Sequence, residues 1–140
     1  MSDSKLTAVL DALVPSRGDL PGAGELGLAS AVVEDARDTG QLEILEGFLS
    51  RLPDDFDSSD VGKREQMLRS IESDNPGDFG SVVNMAYTAY YTDPRVLGDL
   101  SERTGYNPGP PQPDGYVLEA FDPQLLDPVR GRPPIWRQDH

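Results

Sequence analysis

The 140-residue sequence predicts an all-α fold: an irregular bundle of about five to six helices over residues 1–103, followed by an extended proline-rich arm over residues 104–140. Three observations predict it. Apolar residues recur at spacings of three and four through most of the first part, which places them on one face of a helix. No segment shows the apolar–polar alternation of a half-buried strand. Proline is concentrated at the end, with 8 of the 13 prolines after residue 103. Charge divides in the same place, −11 before the boundary (20 acidic, 9 basic) and −2 after it.

The first helix is expected from about Ser4 to Val14, with Leu6, Val9, Leu10, Leu13 and Val14 on one face. Pro15 ends it. Pro21 to Gly24 reads as a turn. The second helix is expected from Glu25 to Asp38, with Leu26, Ala29, Val32, Val33 and Ala36 inward and Gly40 as its stop. The third, Gln41 to Arg51, is closed by Pro53. The acidic segment Asp54 to Asp60 is a loop leading into a fourth helix that runs to about Ser73.

Asn75-Pro76-Gly77 reads as a turn. The fifth helix, Asp78 to Tyr91, has the widest apolar face (Phe79, Val82, Val83, Met85, Ala86, Ala89, Tyr90) and is expected at the centre of the bundle. The last, Pro94 to Arg103, starts with proline at a tolerated first-turn position, with Thr92 or Asp93 as its cap.

The arm favours polyproline II geometry around Pro108, Pro110, Pro111 and Pro113. Tyr116, Leu118, Phe121, Leu125, Leu126, Val129, Ile135 and Trp136 punctuate it, and plain disordered tails are poor in such side chains. The arm is therefore expected to pack on its own bundle or on a partner subunit. The residues singled out for a partner interface are Tyr106, Pro108, Pro110, Pro111, Tyr116, Phe121, Leu125, Ile135 and Trp136.

Composition excludes several classes of chemistry. There is no cysteine, so disulfides, thiolate catalysis and cysteine-held metals are out. The one histidine, His140, is the last residue, where nothing reliably orients an imidazole. A net charge of −13 opposes nucleic acid and anionic membranes, and no apolar run reaches the length of a membrane span. Neither a secretory signal nor a twin-arginine pair is visible in Met1 to Leu10. The expected location is cytoplasmic, or exported only with a partner that carries the signal.

Motif candidates are few. Asp55, Asp57 and Ser59 resemble the start of a calcium loop, but the required later glycine and glutamate are missing, so a solvated loop ending in a helix cap is expected. Glu34, Asp35 and Asp38 read as a solvated face, since a helix surface supplies no cleft for acid–base work. Gly22-Ala23-Gly24 and the segment around Gly109 follow no strand and are not nucleotide fingerprints. Tyr87, Tyr90 and Tyr91 are expected at the core edge, with an aromatic docking patch as the alternative. No catalytic, cofactor-binding or metal-binding residue is assigned.

Three segments together resemble the gluconate 2-dehydrogenase subunit 3 family. They are Asp-Ala-Leu-Val-Pro-Ser (Asp11 to Ser16), Pro-Gly-Ala-Gly (Pro21 to Gly24) and Gly-Tyr-Asn-Pro-Gly-Pro-Pro with a following Gly-Tyr (Gly105 to Pro111, Gly115-Tyr116). The resemblance covers most of residues 5–116, and the third segment is the most specific. It implies a small, non-catalytic subunit bound to a large FAD-containing subunit of the glucose–methanol–choline type, which oxidises a sugar or alcohol. A cytochrome subunit is a further candidate partner. FAD is expected in the large subunit and no cofactor in this chain. Many members carry a twin-arginine signal that this sequence lacks, which favours stabilisation over an export role. The competing expectation is a free-standing acidic interaction adaptor unrelated to flavoproteins.

Overall fold

The computed structural model describes residues 3–107, 109 and 120–132. The chain divides into two units, Met1–Pro108 and Gly109–His140. The described residues are helical, as the apolar periodicity predicts, and form no strand; one isolated backbone bridge joins Arg17 and Leu20.

The first unit holds six helices: α1 (Asp3–Leu13), α2 (Ala29–Asp38), α3 (Leu42–Arg51), α4 (Val61–Asp74), α5 (Pro76–Thr92) and α6 (Pro94–Thr104). α5 packs against all five of the others, which is the central position its wide apolar face predicts. Around it lie Leu6, Val9 and Leu10 of α1, Val32 of α2, Leu45 and Phe48 of α3, and Leu68 and Ile71 of α4. The Phe48 and Phe79 rings meet at 6.2 Å. No polar or charged residue among those described is fully buried, so apolar contact holds this core.

Two boundaries differ from the sequence expectation. The second helix begins at Ala29, not Glu25, because Gly27 adopts φ +69°, a left-handed conformation outside the helical region. Residues 22–28 form tight turns instead, with Leu26 N–H on the Gly22 oxygen and Gly27 N–H on that of Gly24. The fifth helix begins at Pro76, two residues early, since the ring at the first helical position removes an N–H that has no intrahelical acceptor.

Several ends follow the expected chemistry. Gly40 (φ +70°) closes α2, with Gln41 N–H reaching back to the Ala36 oxygen at 2.7 Å and Gly40 N–H to that of Arg37. Asp60 caps α4, accepting from Lys63 N–H at 2.9 Å. Asp93 caps α6, accepting from Arg95 N–H at 2.9 Å, and Gly105 (φ +70°) ends it.

In the second unit the described stretch is a 3-10 turn, Pro123–Leu126, running into one turn of helix, α7 (Asp127–Arg130). The arm is thus not extended there. Asp122 accepts from Gln124 N–H at 2.9 Å, and prolines sit at the first turns of both pieces, where they favour helix entry. Phe121, Leu125, Leu126 and Val129 are exposed.

Candidate interaction surface

The apolar stripe of α5 runs through Val82, Met85, Ala86, Ala89 and Tyr90, all buried. Tyr87 and Tyr91 each follow a buried stripe residue by one position, a rotation of about 100° around the helix axis. They therefore fall at the solvent edge, 44% and 53% exposed. The three tyrosines separate accordingly. Tyr90 belongs to the core and its hydroxyl donates to the Pro21 carbonyl oxygen at 2.9 Å. The Tyr87 and Tyr91 rings meet at a tilt of 49°, centroids 6.1 Å apart, and Tyr91 meets the Tyr90 ring edge-on at 5.2 Å. Tyr90 lies in the core, while Tyr87 and Tyr91 sit half-exposed at its edge, where the docking-patch alternative also places them.

Tyr106, just past α6, is 56% exposed. With Tyr91, Leu97, Leu100 and Thr104 it lines an open groove of about 340 Å³ between α5 and α6. Tyr91 contacts Tyr87 on one side and lines this groove on the other, so Tyr87, Tyr91 and Tyr106 form one aromatic strip. Among the described residues of the first unit, Val61 is the only other exposed large apolar side chain. Tyrosine supplies large contact area with little side-chain entropy to lose, which is why such strips suit protein interfaces.

Of the interface residues taken from sequence, Tyr106 lies on this strip. Phe121 and Leu125 are exposed in the second unit. Pro108, Pro110, Pro111, Tyr116, Ile135 and Trp136 lie outside the described residues, as does His140. Tyr87 and Tyr91 belong to the docking-patch alternative that the sequence offers, at i, i+4 spacing and one step off the Ala86/Tyr90 stripe. Leu97 and Leu100, half-buried in the groove, are not singled out by the sequence.

The first two segments of the family resemblance meet in space. Ala23 N–H donates to the Val14 oxygen at 3.0 Å. Gly24 faces the Asp11 carboxylate so closely that any Cβ there would overlap it. A Cβ on Gly22 would lie 3.0 Å from the Ser16 nitrogen and 3.1 Å from the Val14 oxygen. Both glycines are close-approach positions between the end of α1 and the connector to α2. Arg95 of α6 donates to the Leu26 oxygen at 2.9 Å, and Arg103 reaches Asp19 at 3.6 Å. The connector is thus tied from α5 and α6 by three side chains.

The acidic loop is anchored as well as solvated. Phe56, in the midst of four aspartates, is fully buried. Arg64 donates to the Phe56 and Asp57 oxygens, Ser4 to Asp57 at 2.7 Å, and Lys5 to the Leu52 oxygen at 3.2 Å. Lys63, at 2.8 Å, holds the Asp55 carboxyl below its usual range through a hydrogen bond and its charge. Arg95 does the same to Asp93. The Tyr90 hydroxyl is pushed up, first by burial and then by Tyr91 and Asp99. No group of three or more Asp, Glu, His or Cys among the described residues is placed to hold a metal ion. No helix among them is long and apolar enough to cross a membrane.

Comparison with protein-family models, with curated proteins and with solved structures finds no match.

Proposed function

We propose that the chain is a non-catalytic accessory subunit that binds and stabilises a large FAD-dependent sugar or alcohol dehydrogenase subunit of the glucose–methanol–choline type. The carrying observation is the exposed strip Tyr87–Tyr91–Tyr106 beside its groove, a surface suited to protein contact. Tyr106 belongs to the segment that most resembles gluconate 2-dehydrogenase subunit 3, and this links the strip to that kind of partner. The reactive groups and FAD belong to the partner, while this chain contributes shape and apolar contact area.

Capture of the tagged chain from a native extract tests the reading. The expected result is a co-purifying large polypeptide with a flavin absorption spectrum. Tyr91→Ala combined with Tyr106→Ala should lower its recovery about tenfold or more, since central aromatic anchors dominate such interfaces. A partner without flavin would overturn the reading in favour of a free-standing acidic adaptor. Recovery unaffected by the double variant would remove the strip from the interface.

A further inference from the structure

Helix α6 is the least anchored of the six. Of its eleven residues only Val96 is fully buried. Leu97 and Leu100 are half-buried and line the groove of about 340 Å³ against Tyr91. The α5–α6 seam is thus open to solvent on its Tyr91 side. α6 packs principally on α5. Its remaining ties run to the connector, from Arg95 to the Leu26 oxygen and from Arg103 to Asp19, and both are exposed to solvent. One solvent-exposed hydrogen bond and one exposed ion pair at 3.6 Å contribute little holding force.

The sequence of α6 adds to this. Eleven residues fall short of the roughly 12–15 at which an isolated helix begins to hold. Gly98 sits in its middle, and nothing lies within 4 Å of where a Cβ would stand. No close packing requires glycine there, so its effect is to weaken the helix. The two ends are sharply defined, by the Asp93 cap and by Gly105 in the left-handed conformation.

We propose that α6 is a strap that detaches from the unit while α1–α5 stay folded, uncovering the adjoining face of α5. Detachment withdraws Val96, Leu97 and Leu100 from α5, and takes Tyr106 and the α6 wall of the groove away from Tyr91. Arg95 and Arg103 let go of the connector in the same event. The Tyr90–Pro21 hydrogen bond joins α5 to the connector and does not involve α6. It holds the connector in place when the strap is open. The inference concerns the free chain and does not depend on the identity of any partner.

Hydrogen exchange of the full chain, read by mass spectrometry on peptides covering α5 and α6, tests it. The α6 amides are expected to exchange on the order of a hundredfold faster than the core amides of α5, yet slower than an unstructured peptide. Gly98→Ala should slow α6 exchange about fivefold, the ratio that the helix propensities of glycine and alanine imply, and leave α5 exchange unchanged. Equal rates for α5 and α6, or equal slowing of both by Gly98→Ala, would overturn the strap. So would exchange of α6 at the unstructured rate, because no closed state would then exist.

Discussion

The Tyr90 hydroxyl and the Pro21 carbonyl oxygen, 69 residues apart in sequence, meet at 2.9 Å. This bond fastens the middle of the α1–α2 connector to the central helix. Tyr90→Phe keeps the ring packing and leaves the carbonyl without its donor. The expected loss is about 1 kcal/mol, read as a lower urea midpoint at unchanged m-value.

The same hydroxyl gives the fold a pH dependence at the alkaline end. Burial raises its pKa above the ordinary tyrosine value of about 10. Its contribution is therefore fully present below about pH 10, the unfolded value, and is lost as pH rises through the folded one. Urea midpoints from pH 9 to pH 11 should fall less steeply for Tyr90→Phe than for the parent chain. Parallel slopes would contradict the raised pKa.

Gly22 and Gly24 should respond differently to alanine. At Gly24 the obstacle is the Asp11 side chain alone, and at Gly22 it is chiefly backbone, with Asp11 Oδ1 also at 3.2 Å. Each alanine is expected to cost about 1–3 kcal/mol by overpacking. Adding Asp11→Ala should relieve Gly24→Ala much more than Gly22→Ala, whose two backbone obstacles remain. A double-mutant cycle by chemical denaturation separates the two, with the larger coupling expected for the Asp11–Gly24 pair.

Phe56 should matter far more than the acidic residues around it. Phe56→Ala empties a fully buried site and is expected to cost about 3–5 kcal/mol. Asp55→Asn removes one end of an exposed ion pair with Lys63 and should leave the thermal midpoint where it is.

The helical architecture is legible in the chain because its apolar residues repeat with the helix period. Leu6, Val9 and Leu10, or Val82, Met85, Ala86, Ala89 and Tyr90, mark their faces without help. The misplaced boundaries have local causes that periodicity does not carry. Leu26 and Ala29 continue the apolar spacing on either side of Gly27, yet that glycine's left-handed backbone breaks the helix between them. Pro76 looks like a turn residue and is a helix start. Phe56 was hidden by its acidic neighbours, since one apolar residue in a loop has no period. The surface strip was harder still. Tyr87, Tyr90 and Tyr91 are chemically alike, and a rotation of about 100° decides which of them meets solvent.

The Tyr90–Pro21 tie and the close approach of Gly22 and Gly24 to α1 constrain the length of the α1–α2 connector as well as its composition. Surface loops commonly accept an added or deleted residue. Here the Pro21 oxygen must arrive at the Tyr90 hydroxyl while Gly22 and Gly24 lie against the end of α1. Shifting the register by a single residue would lose that bond or drag the paired glycines off α1. Natural variation in this stretch should therefore take the form of exchanged side chains at constant spacing, with insertions confined elsewhere.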